Sequence, residues 1–155
     1  MAQLRSAMKP HPLPARRLAA IEAGLRAIYE RLEGEMAGLS VQCKACGRCC
    51  HFAEFEHVLY LSNVEAHYLC EGRRPSEGGT DRCPFQEGPR CTAHARRALG
   101  CRTFFCDRRE RETLQSLYEA YLGEIKRLAE GAGVPWRYAR LSEQIEAARE
   151  GSLTS

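Results

Sequence analysis

The chain has 155 residues, nine cysteines, 44% apolar and 28% charged residues, and a formal net charge of +3. That length suits a single domain over residues 1–155, and the apolar fraction excludes wholesale disorder. No run approaches the roughly 20 apolar residues that cross a bilayer, and the N-terminal MAQLRSAMKPHPLPARR has no apolar signal core, so the expectation is a cytoplasmic protein with reduced thiols and no membrane partner.

Pro10, Pro12 and Pro14 mark residues 1–13 as a flexible arm. From Ala15 to Ala37, Leu18, Ile21, Leu25, Ile28, Leu32 and Met36 recur at steps of three or four and predict a helix with one apolar face. Gly24 and Gly34 weaken that helix without breaking its period. Phe52 to Leu61 mixes aromatic, acidic and β-branched residues and reads as a strand or an extended loop. Ser62 followed by Glu65 is a capping-box pair, so a short helix is predicted from Asn63 to Glu71, stopped by Gly72. The stretch Arg73 to Arg82, RRPSEGGTDR, is a surface loop, and residues 83–106 have no clear period.

Asp107 and Glu110 suggest a second capping box. Leu114, Leu117, Tyr121, Ile125 and Leu128 then line one face of a helix running to about Glu130, where Gly131 and Gly133 end it. Pro135 suits the first turn of a last helix, with Trp136, Leu141 and Ile145 facing inward. The expected fold class is mainly α: a helical body with long N-terminal and C-terminal helices and an inserted, loop-rich cysteine region at 43–106. The two long helices each carry one apolar stripe. They should pack antiparallel and bring the two ends of the cysteine region together.

All nine cysteines lie between Cys43 and Cys106. An odd number excludes complete internal pairing, and clustered cysteines in a reducing compartment point to metal. Residues 43–50 read CKACGRCC, which places Cys43, Cys46, Cys49 and Cys50 in one short block. A Cys-x-x-Cys turn lets two thiolates converge on one centre, and Gly47 permits the turn that aims backbone N–H groups at sulfur. Cys83 of CPF, Cys91 of CTAH, and Cys101 and Cys106 of CRTFFC follow.

These blocks resemble the CxxCxxCC family, the YkgJ-type cysteine-cluster proteins described as zinc- or iron-chelating. The match runs Cys43-x2-Cys46-Gly47-x-Cys49-Cys50, then Cys83-Pro84 and Cys91, then Arg97, Cys101-Arg102 and Cys106. It covers residues 43–106 and includes all eight cysteines of the family pattern. The chain departs from that pattern at His94, Ala98 and Phe105, where Tyr, Pro and Pro are usual. The ligand set stays intact, and the shape of the local loops is put in question.

Four thiolates close a tetrahedral zinc site, so the eight suit two zinc ions. They equally suit one 4Fe-4S cluster plus a structural site, because the Cys43, Cys46, Cys49 step is that of a bacterial ferredoxin and Cys83-Pro84 supplies a distant Cys-Pro. Cys49 and Cys50, as neighbours, point apart on extended backbone and should divide between centres or around one cluster. Arg48, Arg97 and Arg102 lie beside ligand cysteines and would offset thiolate charge through N–H contacts to sulfur. Cys70 has no counterpart in the pattern and reads as a buried structural thiol. His94, three residues after Cys91, reads as a donor to a ligand or as exposed. His51, His57 and His67 read as ordinary, and Phe104 and Phe105 as shields against water.

The favoured function is a non-catalytic module binding zinc or iron. The alternative is an iron–sulfur-dependent, methyltransferase-like enzyme, which follows only from the association of this motif with flagellin lysine N-methylases. No glycine-rich nucleotide loop supports it. A nucleic-acid partner is disfavoured. The isoelectric point near 8.4 is modest, and Arg108, Arg109 and Arg111 alternate with Asp107, Glu110 and Glu112, which reads as a solvated helix start.

Overall fold

Helix α1, Ala15–Met36, and helix α4, Arg111–Gly131, form the frame of the molecule. The structure is a computed structural model and describes residues 15–40, 50–52, 58–72, 75, 82–105 and 109–149. Between the two frame helices lie β1 (Tyr60–Ser62), α2 (Asn63–Gly72), β2 (Gln86–Glu87), β3 (Arg90–Cys91) and α3 (Leu99–Thr103). Strand β4 (Tyr138–Arg140) and helix α5 (Leu141–Arg149) follow the frame. The described residues are mainly α-helical, as expected.

The apolar stripe of α1 buries Ile21, Leu25, Ile28 and Leu32 against Tyr121, Ile125 and Ala129 of α4. Each such buried aliphatic side chain stabilises by roughly 1.5–3 kcal/mol relative to exposure. The helices run antiparallel. Gly24 lies against Leu128, Arg31 pairs with Glu124, and Ser40 Oγ donates to Glu110 Oε1 at 3.2 Å. Gly24 has a positive role here, because a Cβ at that position would stand 2.6 Å from Leu128 Cδ1. The Ser40–Glu110 bond joins the exit of α1 to the entry of α4, so the cysteine-bearing stretch leaves and returns at one place.

Helix α2 forms through the predicted capping box. Glu65 N–H meets Ser62 Oγ at 3.3 Å, and Glu65 Oε2 accepts from Ser62 N–H at 2.9 Å. Asp107 of the second predicted capping box lies outside the described residues. Glu110 sits in the left-handed region at φ 61, directly before α4, and makes no side-chain cap. Its carboxylate is taken by Ser40 instead.

Helix α4 ends in a Schellman motif. Gly133 at φ 72 donates to Glu130 O at 3.0 Å, and Val134 N–H reaches back to Ala129 O at 2.9 Å. Gly133→Ala is expected to cost about 1–2 kcal/mol, because a Cβ disfavours that backbone conformation. The shift of a urea unfolding midpoint measures it.

Pro135 does not open a helix. Asn63 grips the chain at Pro135 and at Arg137: Asn63 Nδ2 donates to Pro135 O at 2.8 Å, Asn63 Oδ1 accepts from Arg137 N–H at 3.2 Å, and Asn63 N–H donates to Arg137 O at 2.8 Å. That grip holds residues 135–137 extended and leads them into β4, which pairs antiparallel with β1 in the register Leu61↔Ala139. Gln144 of α5, fully buried, donates to Leu61 O and Arg137 O, both at 3.0 Å. Leu141 and Ile145 face inward as expected, while Trp136 is half-buried against the α1–α4 core.

The described residues form two apolar cores, with α2 between them. Val64 and Tyr68 of α2 join the α1–α4 core, while Ala66 and Leu69 join a second core with Leu61, Phe85, Ala93, Ala98, Leu141 and Ile145. Residues 83–105 therefore have more regular structure than their lack of period suggested. The predicted arm 1–13 lies outside the described residues, as does the 73–82 loop apart from Pro75 and Arg82. Among the described residues no helix is long and apolar enough to cross a membrane.

Candidate metal centre

The second core gathers the cysteines. Cys50 and Cys83 are buried members of it, and Cys70, Cys91 and Cys101 pack against it half-buried. Cys83 N–H donates to Cys50 O at 2.8 Å, which joins the first cysteine block to the second. Gln86 N–H then returns to Cys83 O at 3.0 Å and closes a turn over Pro84 and Phe85. Phe85, 1% exposed, anchors that turn in the core. The chain enters the β2–β3 hairpin, whose register sets Cys91 opposite Gln86. Thr92 N–H donates to Phe85 O at 2.8 Å and brings the chain back beside the Cys83 turn.

Cys101 is carried on α3. The N-terminus of this short helix is fixed from outside: Leu99 N–H donates to Glu65 Oε1 at 2.8 Å. Glu65 is 1% exposed and accepts four hydrogen bonds, the others being from Tyr29 OH at 3.1 Å, Ser62 N–H at 2.9 Å and Ser62 Oγ at 2.8 Å. Burial pushes the Tyr29 hydroxyl well above its ordinary pKa, and the nearby Glu65 carboxylate adds to the effect, so Tyr29 stays a donor.

Two arginines tie this segment to α1. Arg102, 6% exposed, lies 4.0 Å over the Tyr29 ring and donates from Nη1 to Glu33 at 2.5 Å, from Nε to Arg97 O at 2.8 Å and from Nη2 to Ala95 O at 2.9 Å. Arg96 lies 4.4 Å over the Tyr68 ring and donates to Tyr68 O and Glu22, both at 2.9 Å. Arg97 donates to His94 O at 3.0 Å and Cys101 O at 3.4 Å. Among the described residues each nitrogen of Arg102 donates to an oxygen, and Arg97 works as a brace within its loop. Arg102→Lys should cost about 2–3 kcal/mol, since an ammonium cannot span two carbonyls and a carboxylate while stacking on a ring; thermal unfolding of the variant measures it.

Among the eight pattern cysteines, Cys50, Cys83, Cys91 and Cys101 are brought to one core. Cys43, Cys46, Cys49 and Cys106, with Arg48, lie outside the described residues. Among the described residues no three His, Cys, Asp or Glu side chains stand in metal-holding geometry. A closed four-thiolate site would therefore draw on at least two thiolates from the other four. The donor chemistry fits soft-metal binding, with thiols partly withdrawn from water beside an apolar core.

Cys70 is half-buried and lies against the same core, so it is less enclosed than expected. His94 is exposed, and burial of part of its ring, with Arg97 and Arg102 nearby, holds its pKa below the ordinary value. Its imidazole is therefore neutral at pH 7. His67 is half-buried and stands 3.5 Å from Glu71, and His57 lies outside the described residues. Phe104 is 44% exposed, so its ring is a poor water shield, and Phe105 is half-buried.

Sequence reasoning found Glu65 only as a helix cap and missed Tyr29, Glu33 and Arg96. The signal for Glu65 was the capping box itself, but nothing local marks its bond to Leu99. No protein-family model matches the chain, and neither does any curated protein or solved structure.

Proposed function

We propose that this chain is a non-catalytic metal-binding module. It holds zinc, or iron as an iron–sulfur cluster, through Cys43, Cys46, Cys49, Cys50, Cys83, Cys91, Cys101 and Cys106. The observation that carries this reading is the gathering of cysteines from separate blocks at one core, with Cys50 and Cys83 bonded backbone to backbone. The resemblance of the three blocks to the CxxCxxCC family supports it. Thiolate ligands call for a reducing compartment, which makes the cytoplasm the proposed site of action.

Bound metal would add folding free energy to the apolar core that the cysteine-bearing segment shares with α5. The chain's part is to hold the thiols near one another and to limit water around Cys50 and Cys83. The methyltransferase-like alternative gains nothing from the described surface. Two clefts there measure about 130 and 160 Å³, against roughly 300–1,000 Å³ for small-molecule sites.

Elemental analysis with an absorption spectrum, on protein purified without air, tests the reading. A colourless protein with about two zinc per chain supports a zinc module. A brown protein with iron and acid-labile sulfide supports an iron–sulfur carrier. Protein that holds neither metal, and takes up neither when supplied, overturns the proposal.

A further inference from the structure

We infer that Glu65 is a positioning residue for the thiolate set: its buried carboxylate fixes the helix that carries Cys101. The inference rests on the metal-binding reading above. Helix α3, Leu99–Thr103, is too short to be stable alone. Its Ala98 N-cap has no side-chain cap bond, so its first N–H depends on another element. Glu65 Oε1 supplies that partner at 2.8 Å from Leu99 N. Behind it stand α1, through Tyr29 OH, and β1, through Ser62. The carboxylate thus carries the position of the helical body to the backbone two residues before Cys101.

The charge type matters as much as the place. A carboxylate has about four acceptor positions, and donors meet all of them: two on Oε1 and two on Oε2. Glutamine has one acceptor oxygen. Its amide nitrogen would face either Ser62 N–H or Leu99 N–H, and neither can accept. Glu65→Gln therefore keeps the volume and breaks the grip on one side.

The test is the rate of metal loss to excess chelator, measured on protein as purified without air. Outer-shell partners of metal ligands typically alter affinity by about 10–100-fold. Glu65→Gln is expected to lose metal about 10-fold faster than the parent, with the metal content at the start unchanged. Gly133→Ala, which weakens the fold far from α3, should lose metal at the parental rate. A second pair isolates the bond itself. Leu99→Pro removes the donated N–H at a first helical position, where proline fits, and Leu99→Ala removes the same packing but keeps the N–H. Leu99→Pro should lose metal faster than Leu99→Ala.

Parental rates in Glu65→Gln, equal acceleration in Gly133→Ala, or equal rates in the two Leu99 variants would each overturn the inference and leave the metal reading standing. A parent protein that holds no metal and takes up neither zinc nor iron when supplied would overturn both, and it is seen before any substitution is made.

Discussion

Cys46→Ser and Cys49→Ser are expected to lose bound metal together with the folded state of the cysteine region, while Cys70→Ser keeps the full metal content. Metal bound by thiolates contributes on the order of 10 kcal/mol to the folding of small zinc modules. A whole domain is stable by only about 5–15 kcal/mol. Loss of one ligand from a closed site therefore removes a large share of what holds the region together. The residual structure should centre on the antiparallel α1–α4 pair, whose core is made by Ile21, Leu25, Ile28, Tyr121 and Ile125. Cys83→Ser sharpens the experiment. It leaves the Cys83 N–H to Cys50 O bond in place, so a loss of metal in that variant reports the thiolate and not the turn. Elemental analysis and far-ultraviolet circular dichroism on each variant give the result. Unchanged metal content in both Cys46→Ser and Cys49→Ser would remove the assignment of this block as ligands.

Glu65→Ala is expected to cost about 4 kcal/mol or more. The substitution leaves Tyr29 OH, Ser62 N–H, Ser62 Oγ and Leu99 N–H without their acceptor in a site closed to water. Each stranded buried donor costs about 1–3 kcal/mol. Rotation of the two hydroxyls toward other partners recovers part of that sum. Ser62→Ala, which removes one cap, should cost only about 1 kcal/mol. Urea unfolding of the three proteins measures the difference, and a Glu65→Ala cost equal to that of Ser62→Ala would show that the network is easily rewired. The same network has a sign with pH. Tyr29 has a raised pKa in the folded chain, above its ordinary value of 10.0. Its contribution to stability is complete below about pH 10 and falls as the pH rises beyond that. Tyr29→Phe should flatten that alkaline loss.

The elements legible in the sequence are those stabilised from within their own segment. Helices α1 and α4 announce themselves by period, α2 by Ser62 and Glu65, and the end of α4 by Gly133. Helix α3 and the extended run at Pro135 were missed because distant residues determine them. Leu99 needs Glu65 to begin its helix, and Pro135–Arg137 stays extended because Asn63 holds both ends. The site divides in the same way. The identity of the candidate ligands is legible from residue type and spacing. Their support is not, because Arg102 reaches Glu33 and Tyr29 of α1 across most of the intervening chain. Its neighbours in sequence suggested a partner for sulfur, while among the described residues it bonds to oxygens and stacks on a ring.

The placement of α2 between the two cores bears on how such a protein can be cut and rebuilt. The stretch between the frame helices lends Val64, Tyr68 and Leu99 to the α1–α4 core, while α5, from the far end of the chain, lends Leu141 and Ile145 to the cysteine side. Excising residues 43–106 would open a hole in the helical frame, and transplanting them would leave the thiols without Leu141 and Ile145 beneath them. A graft onto another scaffold would have to take α5 and a substitute for α1 along with it.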